Sequence, residues 1–177
     1  MWLLNRILEN AWLQEDLLRP ESMVTRPVCN QKVCQDYLLL VDTFLERLLL
    51  LIHLTAGQPA RDSEIMSLRH INTVNSHHRN VYLEDGMVST VTTHHKGYST
   101  TGDTQIIHRY LPKEVGELLI HYLSLVQPFC KKLEMLALCR RELPSPFLWA
   151  NRGSLDPWDS SRLSRISQSE TRLSGSR

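Results

Sequence analysis

Residues 54–68 read L-T-A-G-Q-P-A-R-D-S-E-I-M-S-L. The stretch decides the fold because it ends one helix and starts another. Gly57 and Pro59 break any helix arriving from upstream. Arg61 then opens a new helix, predicted over residues 61–70. Asp62 and Glu64 stand in its first turn, where acidic groups suit the helix dipole, and Ile65 and Leu68 form its apolar face. A guanidinium held at such a start can give two hydrogen bonds to a phosphate. By pattern alone, an arginine after a turn is more often a surface residue, and Glu64 a cap or salt-bridge partner. Both readings stand at this point.

Upstream, residues 31–54 carry Leu38, Val41, Leu45, Leu48, Leu49 and Ile52 at helical spacing. The end of this long helix is nearly all apolar, which predicts burial on most sides. Its apolar run falls well short of the ~20 residues that span a bilayer, so a membrane is not among the predicted partners. Residues 2–18 read as an amphipathic helix with Leu4, Leu8, Ala11, Trp12 and Leu18 near one face. Pro20 and Pro27 punctuate the link between the two.

Downstream, residues 80–83 read as a short strand, Glu84-Asp85-Gly86 as a tight turn and residues 87–93 as a β-branched strand. A loop holding H-H-K-G, with His95 and Lys96, leads to a third strand over residues 104–111. There Ile106, His108 and Tyr110 alternate with Gln105, Ile107 and Arg109. Pro112 suits the first position of a helix, predicted to run to about residue 126, and a further helix is predicted over 129–143. Phe147, Leu148 and Trp149 read as a short docked segment. Residues 159–177 are rich in Ser and Arg with sparse apolar residues, which predicts weak order. The resulting fold class is α+β: mostly helical, with one small three-stranded antiparallel sheet packed on helices. The predicted organisation is an N-terminal helix and linker (1–30), a main body (31–143) and a tail (144–177).

Composition narrows the function classes. The chain has 177 residues, 42% hydrophobic and 22% charged, which is ordinary globular composition. A net charge of +1 gives no bulk basic field, so DNA binding would have to come from a local patch. Cys29 and Cys34, spaced C-x4-C, and Cys130 and Cys139, spaced C-x8-C, do not fit a zinc ribbon; reduced thiols are the prediction. His94 and His95 lack an obviously spaced third ligand, so no metal and no cofactor is predicted. No secretory signal opens the chain, and the default compartment is reducing. No Walker A pattern occurs, which excludes a helicase motor.

The order of these parts resembles the first half of a tyrosine-recombinase catalytic domain. In that family the first catalytic arginine lies in a turn-to-helix segment similar to T-A-G-Q-P-A-R-D-S-E-I-M-S-L. The catalytic lysine lies between the second and third strands, as Lys96 does, and a strand and helix resembling R-Y-L-P-K-E-V-G-E-L-L follow. The resemblance covers roughly residues 36–126. It implies that Arg61 and Lys96 are catalytic, with Glu64 supporting, and that Arg61, His95, Lys96 and Arg109 contact double-stranded DNA. Arg61 would stabilise the charge of an in-line transition state, and Lys96 would protonate the leaving 5′ oxygen. Residues 48–129 resemble more closely a region repeated in fungal genomes beside telomere-linked RecQ-like helicase sequences. That region is similar to the recombinases of Crypton-type mobile elements. The likeness implies a fungal nuclear setting and other recombinase protomers as partners.

The chain departs from the family in two ways. No His-x-x-Arg box follows Lys96, and the last tyrosine, Tyr122, falls in the helix directly after the third strand. Without the nucleophile no phosphotyrosyl intermediate forms. The expectation is therefore a truncated recombinase that binds DNA but does not cut it alone. An incomplete domain also predicts exposed apolar surface at Phe147, Trp149 and residues 48–52. Two other readings remain: a non-catalytic accessory segment of a telomere-linked RecQ-type helicase protein, and a helical interaction module in which Arg61 and Lys96 are incidental.

Overall fold

The computed structural model describes residues 2–11, 17, 30–73, 78–94, 105–137 and 145–174. The order of elements is α1 (Trp2–Leu8), α2 (Gln31–Thr55), α3 (Asp62–Met66), β1 (Val81–Glu84), β2 (Met87–His94), β3 (Gln105–Tyr110), α4 (Lys113–His121), a π-helical turn (Tyr122–Val126), α5 (Gln127–Ala137) and α6 (Ser161–Ser174). The predicted α+β class is the one found. The chain divides into two compact units, Met1–Phe44 with Leu118–Glu142, and Leu45–Glu117 with Leu143–Arg177.

In the first unit, Cys34, Phe129, Leu133 and Ala137 form the core, with Leu3, Ile7, Leu17 and Tyr37 packed against it. The Tyr37 and Phe129 rings meet edge to face at 5.4 Å, a favoured aromatic geometry. The Gln31 amide donates to the Ala137 carbonyl at 3.1 Å, joining the start of α2 to the end of α5. The π turn has a local cause in Pro128. A proline ring in an α-helix clashes with the carbonyl four residues back, here that of Ser124, and the wider turn over Tyr122–Val126 relieves this before α5 resumes. The predicted helix over 129–143 is found as Gln127–Ala137; residues 138–143 lie outside the described residues, as do 12–16 and 18 of the predicted first helix.

In the second unit the predicted periodicity of α2 holds. Leu45, Leu48, Leu49 and Ile52 are all buried, each contributing roughly 1.5–3 kcal/mol by burial. The expectation of burial on most sides does not hold at the end, where Leu54 is 67% exposed. The helix ends as its sequence requires, with Gly57 at φ +82 in the left-handed region. The sheet is antiparallel in the order β1-β2-β3. β1 and β2 join through Asp85 (φ 49) and Gly86 (φ 77), both of positive φ as a type I′ hairpin turn needs. α4 starts hard against the sheet: a Cβ on Gly116 would lie 3.0 Å from a Val88 methyl.

Two predictions are corrected here. The helix expected over 61–70 stops at Met66, because the next residues spend their backbone groups on extended partners. The Leu68 carbonyl accepts from Leu148 N at 2.8 Å, and His70 N donates to the Pro146 carbonyl at 3.1 Å. Arg69 and Phe147 form an antiparallel bridge. The tail expected to be weakly ordered is helical over Ser161–Ser174, with Leu163 and Ile166 buried. The apolar exposure expected of an incomplete domain is met only in part: Phe147, Leu50 and Leu51 are half-buried, whereas the other apolar side chains of that expectation are buried. Trp149 is fully buried, its ring 6.0 Å from that of Trp158, and Leu48, Leu49 and Ile52 are no more than 2% exposed. The Arg162 guanidinium lies 3.8 Å over Trp158 and pairs with Glu46 of α2 at 2.7 Å.

Replacing Trp149 with Ala should cost about 3–5 kcal/mol in urea denaturation; a loss under about 1 kcal/mol would mean the tail is not part of this core. A second test concerns Asp159, whose carboxyl the Ser161 hydroxyl holds below its ordinary value of 3.8. Its stabilisation is complete above the ordinary carboxylate range and is lost as the pH falls below 3.8 through the folded value. Melting temperature should therefore fall less steeply in acid for Asp159→Asn than for the wild type.

Candidate functional site

The turn that presents Arg61 is built from the end of α2, the break at Gly57 and Pro59, and the start of α3. Arg61 has extended backbone (φ −65, ψ 150), and its carbonyl accepts from the amides of Glu64 and Ile65 at 2.9 and 3.0 Å. Its side chain is exposed. Among the described residues its guanidinium has no hydrogen-bond or ion-pair partner, so its donors face solvent.

Glu64 points the other way. It is buried, and its carboxylate meets the Arg109 guanidinium at 3.0 Å with both side chains only 9% exposed. Arg109 spends its remaining nitrogens nearby. Nε donates to the Gln58 carbonyl at 3.2 Å, and one terminal nitrogen donates to the Thr92 hydroxyl at 2.7 Å. One guanidinium thus joins four places: β3, which carries it, β2 through Thr92, the turn before Arg61 through Gln58, and α3 through Glu64. Only arginine offers enough donors in a fixed fork for this.

This placement differs from the expectation that Arg109 contacts DNA. Its guanidinium is turned inward and bound to three acceptors. The signal lay in strand parity. Arg109 shares its face of β3 with Ile107 and is followed two residues later by Leu111, which is buried, whereas Ile106, His108 and Tyr110 are exposed. Parity marked Arg109 as inward, although its charge suggested the surface.

The β2–β3 ladder runs from Ser89↔Tyr110 to His94↔Gln105. His95 and Lys96 lie in the connection beyond it, outside the described residues. Arg61 and Glu64, expected to act together, differ in burial: Arg61, the N-cap of α3, is exposed, whereas Glu64 is buried and bound to Arg109.

Among the described residues, the interior beside this clasp holds a small cavity. Ile52, His53, Ala56, Ile65, Leu68, Thr90, Thr92 and Arg109 are among the residues lining a cavity of about 10 Å³, at the threshold for a single water. His53 Nδ1 is buried there without a hydrogen-bond partner among the described residues. Among the described residues no group of three or more His, Cys, Asp or Glu could hold a metal ion, and no helix is long and apolar enough to cross a membrane. Cys34 and Cys130 are buried thiols.

Comparison with family models, with curated proteins and with solved structures returned no match.

The clasp makes a quantitative prediction. Glu64→Ala leaves the Arg109 charge buried without its partner and should lower stability by about 3–5 kcal/mol. The double replacement Glu64→Met with Arg109→Met, of similar volume, should recover most of that loss. If the single and double variants lose equally in chemical denaturation, the pair is not coupled.

Proposed function

We propose that this chain is a DNA-binding segment of tyrosine-recombinase type, gripping duplex phosphates through Arg61 and the β2–β3 connection that carries His95 and Lys96. The observation that supports this most is the Arg109 clasp. It ties the residues on both sides of Arg61 to the two strands that lead into the Lys96 segment. An arginine so mounted keeps its position relative to the sheet, which electrostatic recognition of a phosphodiester requires. In this reading Glu64 is a positioning residue that acts through Arg109 and does not touch DNA.

The chemistry stops at binding for the residues in this sequence. Arg61 would neutralise a phosphate and Lys96 would stand near the leaving oxygen. The chain offers no His-x-x-Arg box after Lys96 and no tyrosine beyond Tyr122. Strand exchange would then need those groups from elsewhere, as in a complete recombinase of a fungal mobile element acting in the nucleus on paired protomers.

Fluorescence polarisation of a labelled duplex across a salt series tests the reading. Each phosphate contact releases counterions, so the slope of log K against log salt counts them at roughly 0.9 per contact. Arg61→Ala and Lys96→Ala should each weaken binding and flatten the slope by about 1. Duplex affinity that is absent, or identical in both variants, would reject it.

A further inference from the structure

β1 is an edge strand. The sheet runs β1-β2-β3, and among the described residues Val81–Glu84 pairs with β2 alone. In an antiparallel ladder, the N–H and C=O groups of successive residues point to opposite sides. Val91 N donates to the Asn80 carbonyl at 2.8 Å, so Asn80, Tyr82 and Glu84 face β2. The far side of β2 gives the same parity, because Leu111 N donates to the Val88 carbonyl at 2.8 Å. Val81 and Leu83 therefore turn their backbone groups outward, where among the described residues they have no partner.

An open edge is a template for another strand, and proteins commonly block one with Lys, Pro or a bulge. The V-Y-L-E of β1 holds neither residue, and its register with β2 is unbroken. Leu83 pairs with Val88 and shares its face of the sheet; Val88 is buried, yet Leu83 is 64% exposed. It is an apolar side chain on the core side that lacks an outer neighbour.

Charge selects that neighbour. Arg79 just before β1 and Asp85 just after it are both exposed, and among the described residues neither forms an ion pair. The Arg79 guanidinium lies 5.7 Å from the Tyr82 ring. Glu84 is already engaged, since the Tyr110 hydroxyl donates to it across the sheet at 3.3 Å. The strand thus has a positive and a negative end, and an antiparallel copy of it reverses them.

We propose that β1 pairs antiparallel with β1 of a second copy about a two-fold axis at Tyr82, making one continuous sheet through a dimer. The outward groups set the register. Val81 meets Leu83 of the second copy, and Leu83 meets its Val81, each pair exchanging both N–H···O bonds. The same register sets Arg79 opposite Asp85 of the second copy at both ends, and it gives Leu83 a β-branched neighbour on the core side. A shift of two residues would lose one of the bonded pairs and part the charges. The contact is isologous and closes, because each copy has one β1 edge. β3, the other edge strand, reads Q-I-I-H-R-Y, holds no acid and offers no such match.

Sedimentation equilibrium of the full chain without DNA tests this, so its outcome is separate from that of the duplex reading. The wild type should show a concentration-dependent monomer–dimer equilibrium. Leu83→Lys, at an exposed site, should weaken it roughly tenfold or more. Arg79→Glu and Asp85→Lys should each weaken it to a similar degree, because both end pairs become repulsive. Mixed in equal amounts, these two variants should associate again, since each mixed pair restores opposite charges. Tyr82→Cys should yield a disulfide-linked dimer on oxidation, because the two positions meet on the axis. If Asp85→Lys melts early, its left-handed backbone being the reason, the Tyr82→Cys cross-link carries the register test. The proposal is overturned if the wild type stays monomeric at roughly 0.1 mM, about −5.5 kcal/mol by the affinity scale, which would leave the edge to a strand of another protein. It also fails if Leu83→Lys associates as well as wild type. Failure of both the mixture and the cross-link would reject the antiparallel pairing.

Discussion

The second unit depends on one buried charge pair. Arg109 and Glu64 come from a strand and a short helix far apart in sequence, and neither could be buried alone without a large desolvation cost. Together, with the Gln58 carbonyl and the Thr92 hydroxyl, they satisfy each other where packing alone would leave the arrangement loose. A pair of this kind is weak evidence for net stability but strong evidence for a specified geometry. Slide α3 by one residue along the sheet and Glu64 no longer meets Arg109. The register of the Arg61 turn against β2 and β3 is therefore set by hydrogen-bond geometry, and hydrophobic contact fills in around it.

Much of this architecture was legible in the residues. The β-hairpin followed from Asp85-Gly86, the long helix from its 3- and 4-residue apolar spacing, and its end from Gly57 and Pro59. These are local rules, and they held. Non-local pairing was not legible. α3 stops at Met66 because residues 146–148 offer backbone partners, and nothing near residue 67 announces that. The tail looked disordered because its apolar residues are few. Yet Trp158, Leu163 and Ile166 need only one prepared surface to bury against, and the apolar end of α2 belongs to the same unit. For the candidate site, the exposed placement of Arg61 matched the pattern, whereas Arg109 was read by its charge when strand parity was the better guide.

The two faces of the sheet show how one alternation rule divides labour. Inward positions hold the clasp that gives the Arg61 turn its rigidity. Outward positions hold rings at the surface, one of them tethered by its hydroxyl across the full sheet. Ser89 marks the boundary between these roles. Its small side chain contributes little packing, and its buried hydroxyl has no hydrogen-bond partner among the described residues, a cost of about 1–3 kcal/mol.

The bond between Arg162 and Glu46 spans 116 positions of sequence. During synthesis, α2 leaves the ribosome long before the residues that bury Trp149 and Trp158 exist. Until residues 145–166 have been made, Leu48, Leu49 and Ile52 belong to a unit that lacks its last pieces. Closure of this core is therefore a late event dominated by distant contacts, which folds slowly and leaves apolar surface open meanwhile. In a cell, the interval between making α2 and making α6 is the period when chaperones would have the most to hold.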